Sequence, residues 1–197
     1  MNSVRFVAAV AVVASISACS SGSSTNTDPG GNGTPPPETT FPEYIALNDD
    51  LRAAIDGFVS TDPATLPDLG STDYTGVVRA NLDAVNGTGE DAAVGLLSMT
   101  VLWEDNEVSG TVTDIVDGDS NPYTGQLTLS NGLVTDRIRA DIDGTIVNAA
   151  SETLVVEGVM SGDFFSDIIF AEGGLSGTVT GPDGTTTLDG GWIASDR

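Results

Sequence analysis

One repeated pattern constrains this chain more than any other. Tyr74-Gly76-Val78, Val108-Gly110-Val112, Tyr123-Gly125-Leu127, Ile142-Gly144-Ile146, Val156-Gly158-Met160, Leu175-Gly177-Val179 and Leu188-Gly190-Trp192 each put large, glycine, large at alternate positions. Alternate positions share a face only in an extended strand. A lone glycine in a strand is commonly a local bulge, but the same phase recurring in seven strands asks for a common cause. Glycine lets a strand bend sharply and leaves room for a neighbour's bulk. A closed barrel of about eight strands needs both, because its interior is just wide enough for side chains to fill.

The strand-like runs are 73–80, 94–103, 107–115, 123–129, 134–147, 153–160, 174–180 and 185–194. Only the second, with Leu97-Met99-Val101-Trp103, is large throughout. Turn residues separate the runs: Glu104-Asp105-Asn106, Asp117-Gly118-Asp119 and Pro182-Asp183-Gly184, with Asn131-Gly132 predicting a two-residue hairpin. That spacing is an antiparallel meander. The opposite faces are polar, as in Ser109-Thr111-Thr113, Ser176-Thr178-Thr180 and Arg137-Arg139-Asp141-Asp143. A membrane barrel is apolar outside and polar inside, and this pattern is the reverse.

Ahead of the strands, Thr40-Phe41-Pro42-Glu43 fits a capping box with proline in the first turn. Tyr44, Leu47, Leu51, Ile55 and Phe58 follow at helical spacing and predict an amphipathic helix over 42–57, its stripe packed on the domain. The fold class is therefore all-β: a single water-soluble, eight-stranded, antiparallel up-and-down β-barrel over 66–197, preceded by a short helix and linker over 41–65.

Composition removes whole classes of chemistry. All six basic residues are Arg, against 29 acids, for a net charge of −23, and there is neither Lys nor His. No Ser-His-Asp triad, Ser-Lys dyad, Schiff-base lysine or His-ligated metal can form. The single Cys cannot make an internal disulfide. The acidity excludes general nucleic-acid binding, which needs a basic footprint.

The N-terminus reads as an address. Arg5 is the only charge before Asp28, and Phe6–Ile16 is an apolar run too short to span a bilayer. Ile16-Ser17-Ala18-Cys19 resembles a bacterial lipobox. The resemblance implies that residues 1–18 are a lipoprotein signal peptide and that Cys19 is lipidated; the alternative is an ordinary secretory signal cleaved at Ala18. Ser20 after the Cys implies, by enteric-type rules, transfer to the outer membrane. Residues 20–40 contain no hydrophobic side chain, so 19–40 is predicted to be a disordered tether.

The barrel motifs taken in order resemble the transferrin-binding-protein-like β-barrel family. Leu66-Pro67 leads into Gly70-Ser71 and Tyr74-Thr75-Gly76; Val108-Ser109-Gly110-Thr111 matches a third strand. Gly162-Asp163-Phe164-Phe165, Gly174-Leu175-Ser176-Gly177 and the closing Gly191-Trp192-Ile193-Ala194, with Trp for the usual Phe, complete the match over 66–197. The resemblance implies a barrel like those in the lobes of transferrin-binding protein B, a lipoprotein that captures host protein for a TonB-dependent transporter. The handle domains and second lobe of that receptor are missing, so its ligand does not carry over.

Smaller constellations read as structural. Asp117-Gly118-Asp119-Ser120-Asn121 alternates like a calcium loop, but Pro122 and Thr128 stand where that loop needs Gly and Glu. Asp141 and Asp143 have glycosidase-like chemistry, yet Arg137 and Arg139 on the same face predict solvated charge pairing. Trp103 and Trp192 fall in the inward phase. Haem needs an axial ligand; Met99, Met160, Tyr74 and Tyr123 all point inward and Cys19 is committed to lipid, so haem is not expected, and no cofactor, metal site or catalytic residue is assigned. Asn81–Ala93, Val116–Pro122, Asn148–Glu152 and Asp163–Gly173 read as acidic loops that suit a cationic partner. The leading expectation is a membrane-anchored binding lipoprotein of the cell envelope that captures protein or solute. A structural or shielding lipoprotein is the alternative, and an acid-dependent hydrolase the third class.

Overall fold

The computed structural model describes residues 39–82 and 92–196. The signal segment, most of the tether and Cys19 lie outside the described residues. The helix α1 (Phe41–Ile55) precedes eight strands: β1 (Ser71–Asn81), β2 (Ala92–Leu102), β3 (Glu107–Val116), β4 (Thr124–Val134), β5 (Ile138–Val147), β6 (Thr153–Phe165), β7 (Phe170–Gly181) and β8 (Gly184–Ser195). Each strand pairs antiparallel with the next, and β8 returns to β1 from Thr75↔Ser195 to Asn81↔Asp189, closing the barrel. The expected topology is the observed one.

The inward glycines have a steric cause. A Cβ on Gly76 would fall onto the Ile193 carbonyl oxygen, and one on Gly177 onto that of Glu157. Gly158, directly across from Gly177, would meet the Ser176 carbonyl oxygen at 2.7 Å. Where strands coil tightly, the neighbour's backbone occupies the space a side chain would need. β2, the run read as large throughout, also carries an inward glycine: Gly95 shares the phase of Leu97 and Met99, and its Cβ would lie 2.8 Å from the Val112 side chain and 3.1 Å from the Thr113 carbonyl oxygen. Between the glycines the interior is filled by Leu97, Met99, Ile138, Ile142, Ile146, Met160, Leu188 and Trp192, each at most 1% exposed. Each such burial contributes about 1.5–3 kcal/mol.

One predicted turn is corrected. Asn131-Gly132 lies inside β4, and the hairpin is at Thr135–Arg137, where the Thr135 N–H donates to the Arg137 carbonyl at 3.1 Å. Asn131 takes a left-handed φ of 49°, and the pairing with β5 skips from Ser130 to Leu133. The dipeptide makes a β-bulge, with Asn supplying the left-handed residue it tolerates better than most. Gly132 then faces inward onto the Val108 carbonyl, where no Cβ fits. Asp163–Gly173 is likewise mostly strand: β6 runs to Phe165 and β7 starts at Phe170, leaving four connecting residues.

The end of the barrel where β1 starts is plugged. Phe164 packs between Tyr74 and Trp103, with ring centroids 6.0 and 5.3 Å away. The Tyr74 hydroxyl donates to the Ile168 carbonyl at 2.6 Å. Ser166, Asp167 and Ile168 all have positive φ, a strained choice for a β-branched residue. The 58–70 linker straps this end: Ser60 bridges to Phe165, and the Thr61 N–H donates to the Phe164 carbonyl at 2.7 Å.

α1 starts on the expected capping box: the Thr40 N–H and hydroxyl donate to the Glu43 carboxylate at 2.6 and 2.9 Å. Its packed stripe is rotated from the expected one. Tyr44, Asn48 and Ile55 are buried, whereas Leu47 and Phe58 are exposed. The helix lies outside the barrel, against β1, β2 and β8. Phe41, Tyr44 and Ile45 cover Val77, Val94, Leu96 and Val116 of the outer wall; Ile55 and Leu51 cover Phe170 and Ile193.

Candidate functional site

Among the described residues the barrel interior is packed with side chains. Its remaining gap, lined by Val78, Ala80, Leu82, Ala93, Ile115, Leu127 and Leu188 among others, holds about 20 Å³, room for little more than one water. Met99, Met160 and Trp192 are buried in this core. The Trp192 indole N–H donates to the Ser161 carbonyl at 3.3 Å, and the Trp103 indole N–H to the Thr72 hydroxyl at 2.9 Å. Tyr123 is only partly buried, packed against the edge of the core.

The acidic segments divide between the two ends. Strand direction brings the connections after β1, β3, β5 and β7 to one end, away from the aromatic plug. Asp117, Asp119, Glu152 and Asp183 lie in the described connections there. The β1–β2 connection, with Asp83, Glu90 and Asp91 in its sequence, also leaves from this end, though its residues 83–91 lie outside the described ones. The short β6–β7 connection sits at the plugged end.

Hydrogen bonds show what the smaller constellations do. Asp117 Oδ1 accepts the N–H groups of Asp119 at 3.0 Å and Asn121 at 2.8 Å, and Oδ2 accepts the Asn121 amide at 2.9 Å. This carboxylate ties its own turn together. The expected Arg–Asp pairing on β5 is not what forms. Asp141 accepts from Asn131 at 3.0 Å and Asp143 from Ser130 at 3.3 Å, while Arg137 pairs with Asp163 at 3.7 Å. The β4 bulge explains this, since it turns Asn131 toward Asp141. Among the described residues no group of three carboxylates converges as a metal site.

A groove of about 390 Å³ between α1 and the β8–β1 seam was not expected from the sequence. Asn48 and Arg52 reach it from the helix, Arg79 and Asn81 from β1, and Asp189 and Gly191 from β8. Arg79 sits directly across from Gly191. Gly191 faces outward, with no side chain over the sheet at that point; a Cβ there would come 3.7 Å from Arg52 Nη2. Arg52 is held by an ion pair with Glu172 on β7. Among the described residues no carboxylate lies within ion-pair distance of Arg79. Asn48 is 7% exposed, so its amide is fixed where the helix meets the wall. The signals in the sequence were an arginine at an outward strand position and a glycine out of the inward phase. Neither tells where a helix will lie.

No protein-family model matches the chain, and neither a curated protein nor a solved structure gives a significant match.

Proposed function

We propose that the chain is a lipid-anchored protein of the bacterial cell envelope, most simply the outer membrane, whose barrel is a binding module of the transferrin-binding-protein-like kind. The single observation that carries this reading is the filled interior. A barrel without a chamber has only its loops and outer wall for binding, and a rigid scaffold with variable loops suits that use. The lipobox-like Ile16–Cys19 and the hydrophobe-free stretch up to Thr40 suit a domain held off a membrane by a tether. The acidic connections opposite the plug suit a cationic protein partner, met at the surface and passed to a transporter.

The test has two arms. Cys19→Ser should abolish fatty-acid labelling and release the protein from membranes; retention of both would overturn the anchor. The immobilised protein should capture a partner whose association rate falls steeply with added salt. Association indifferent to ionic strength would overturn the acidic-loop interface, and a chain that is anchored but captures nothing would be a structural or shielding lipoprotein.

A further inference from the structure

We propose that the groove between α1 and the β8–β1 seam binds a small hydroxylated organic anion of the size of a sugar acid. The proposal stands apart from the anchor and from the cationic partner: it concerns a different face and the opposite charge.

This chain has six arginines and no lysine against 29 acids, yet two of those arginines line one groove. Scattered arginines on such a surface would be expected to pair with nearby acids. Arg137 does so with Asp163, and Arg52 does so with Glu172. Arg79 and Arg139 do not, among the described residues; the neighbours of Arg79 across the ladders are Gly191 and Val94. Its guanidinium keeps its charge and a planar fork of donors suited to a carboxylate or phosphate. The Glu172 pair engages Arg52 through Nη1 and fixes that side chain over the bare sheet at Gly191. One arginine is thus pre-oriented and the other has no counter-ion among the described residues.

The remaining lining selects more than charge. Asn48 lines the groove with an amide held by burial and by a bond from its Nδ2 to Asp49 Oδ1 at 3.3 Å; an amide has a second N–H donor and a carbonyl acceptor besides. Asp189, when ionised, can accept hydrogen bonds but not donate them. It disfavours a second anionic group and favours a hydroxyl donor on the ligand. One anionic group with neighbouring hydroxyls satisfies both sets. The volume of about 390 Å³ is within the usual range for small-molecule sites, about 300–1,000 Å³, and suits a single sugar ring.

Calorimetric titration of the full-length protein with glucuronate, glucose and inorganic phosphate tests this. Glucuronate should bind one to one, at least about tenfold tighter than glucose or phosphate, a difference of about 1.4 kcal/mol. Arg79→Gln should weaken glucuronate at least about tenfold with an unchanged thermal midpoint, and Arg139→Gln, on the far wall, should not. Gly191→Leu, which fills the groove and keeps both arginines, should cause a similar loss and serves if Arg79→Gln proves unstable. The proposal is overturned by the absence of saturable glucuronate binding at millimolar concentration, or by equal binding of glucose or phosphate. Binding that survives both groove variants, or that Arg139→Gln weakens equally, would overturn it too.

Discussion

The barrel has two walls built to one inward rule and two outward ones. On β8, β1 and β2 the outward Ile193, Val77 and Val94 are at most 1% exposed beneath α1. On β4 and β6 the outward Leu133 and Val155 are 55% and 40% exposed, among Thr128, Thr145 and Glu157. The inward faces do not differ: both walls alternate bulk with a glycine pressed on a neighbour's backbone. Closure is therefore a property of the inward face alone. The outward face is free to carry either solvent or a helix, and the helix-bearing wall is where the groove forms. In a membrane barrel the whole outer band would be apolar; here the apolar outer residues described are concentrated where α1, Phe165 and Ile169 cover them.

Charging the two walls equally should separate them most. Val77→Asp would bury an uncompensated carboxylate under Tyr44 and should cost about 3–5 kcal/mol. Val155→Asp on the bare wall should stay within about 0.5 kcal/mol. Urea midpoints of the two variants measure the difference. Equal midpoints would mean that α1 does not cover the seam in solution.

A second contrast separates the faces of one strand. Gly177 points inward at the Glu157 backbone, whereas a Cβ on Gly174 would meet nothing closer than the Gly190 carbonyl oxygen at 3.9 Å. Gly177→Val should cost at least about 1–3 kcal/mol through overpacking. Gly174→Val should be near neutral, because valine suits an exposed strand position. Gly158→Val should fall between them: one of its contacts is the end of the Leu188 side chain, at 3.0 Å, which can yield. Thermal midpoints in the order Gly174→Val, Gly158→Val, Gly177→Val, from highest to lowest, are the expected result. An order that reverses the first and last would remove the steric account of the glycine pattern.

These positions also show why the fold was legible in the sequence and the groove was not. A strand's face is fixed by a period of two, so Gly76, Gly110 and Gly177 announce their phase without any knowledge of partners. Asn131-Gly132 misleads because the same left-handed residue serves a hairpin or a bulge, and only the pairing with β3 and β5 decides between them. The helix is legible as a helix, but Leu47 and Asn48 exchange their expected roles because the wall beneath is curved and already apolar at Val77 and Val94. The groove depends on that docking. Arg52 and Arg79 lie 27 positions apart, and nothing local says that Gly191 will be their floor. Cys19 lies outside the described residues, so its lipidation rests on the Ile16–Cys19 motif alone.

The smallest effect concerns how firmly the covering helix is started. Glu43 accepts the Thr40 N–H and hydroxyl, and these bonds, the backbone one first, hold its carboxyl below the ordinary 4.5. A folded-state value below the unfolded one stabilises the fold where the group is ionised. The contribution is therefore complete above the ordinary value and is lost as pH falls through the lowered one. The effect is small because the site is fully solvated, and it belongs to the covered wall alone. On the bare wall Asp136, lowered chiefly by the Thr135 hydroxyl, ties only its own hairpin turn. Acidification from about pH 5 to pH 3 should accordingly raise amide exchange in α1, corrected for intrinsic rates, before it does so in β5. Glu43→Gln should flatten the α1 response, since its amide cannot titrate. An α1 profile in that variant indistinguishable from the wild type would show that Val77 and Ile193 are covered without help from the cap.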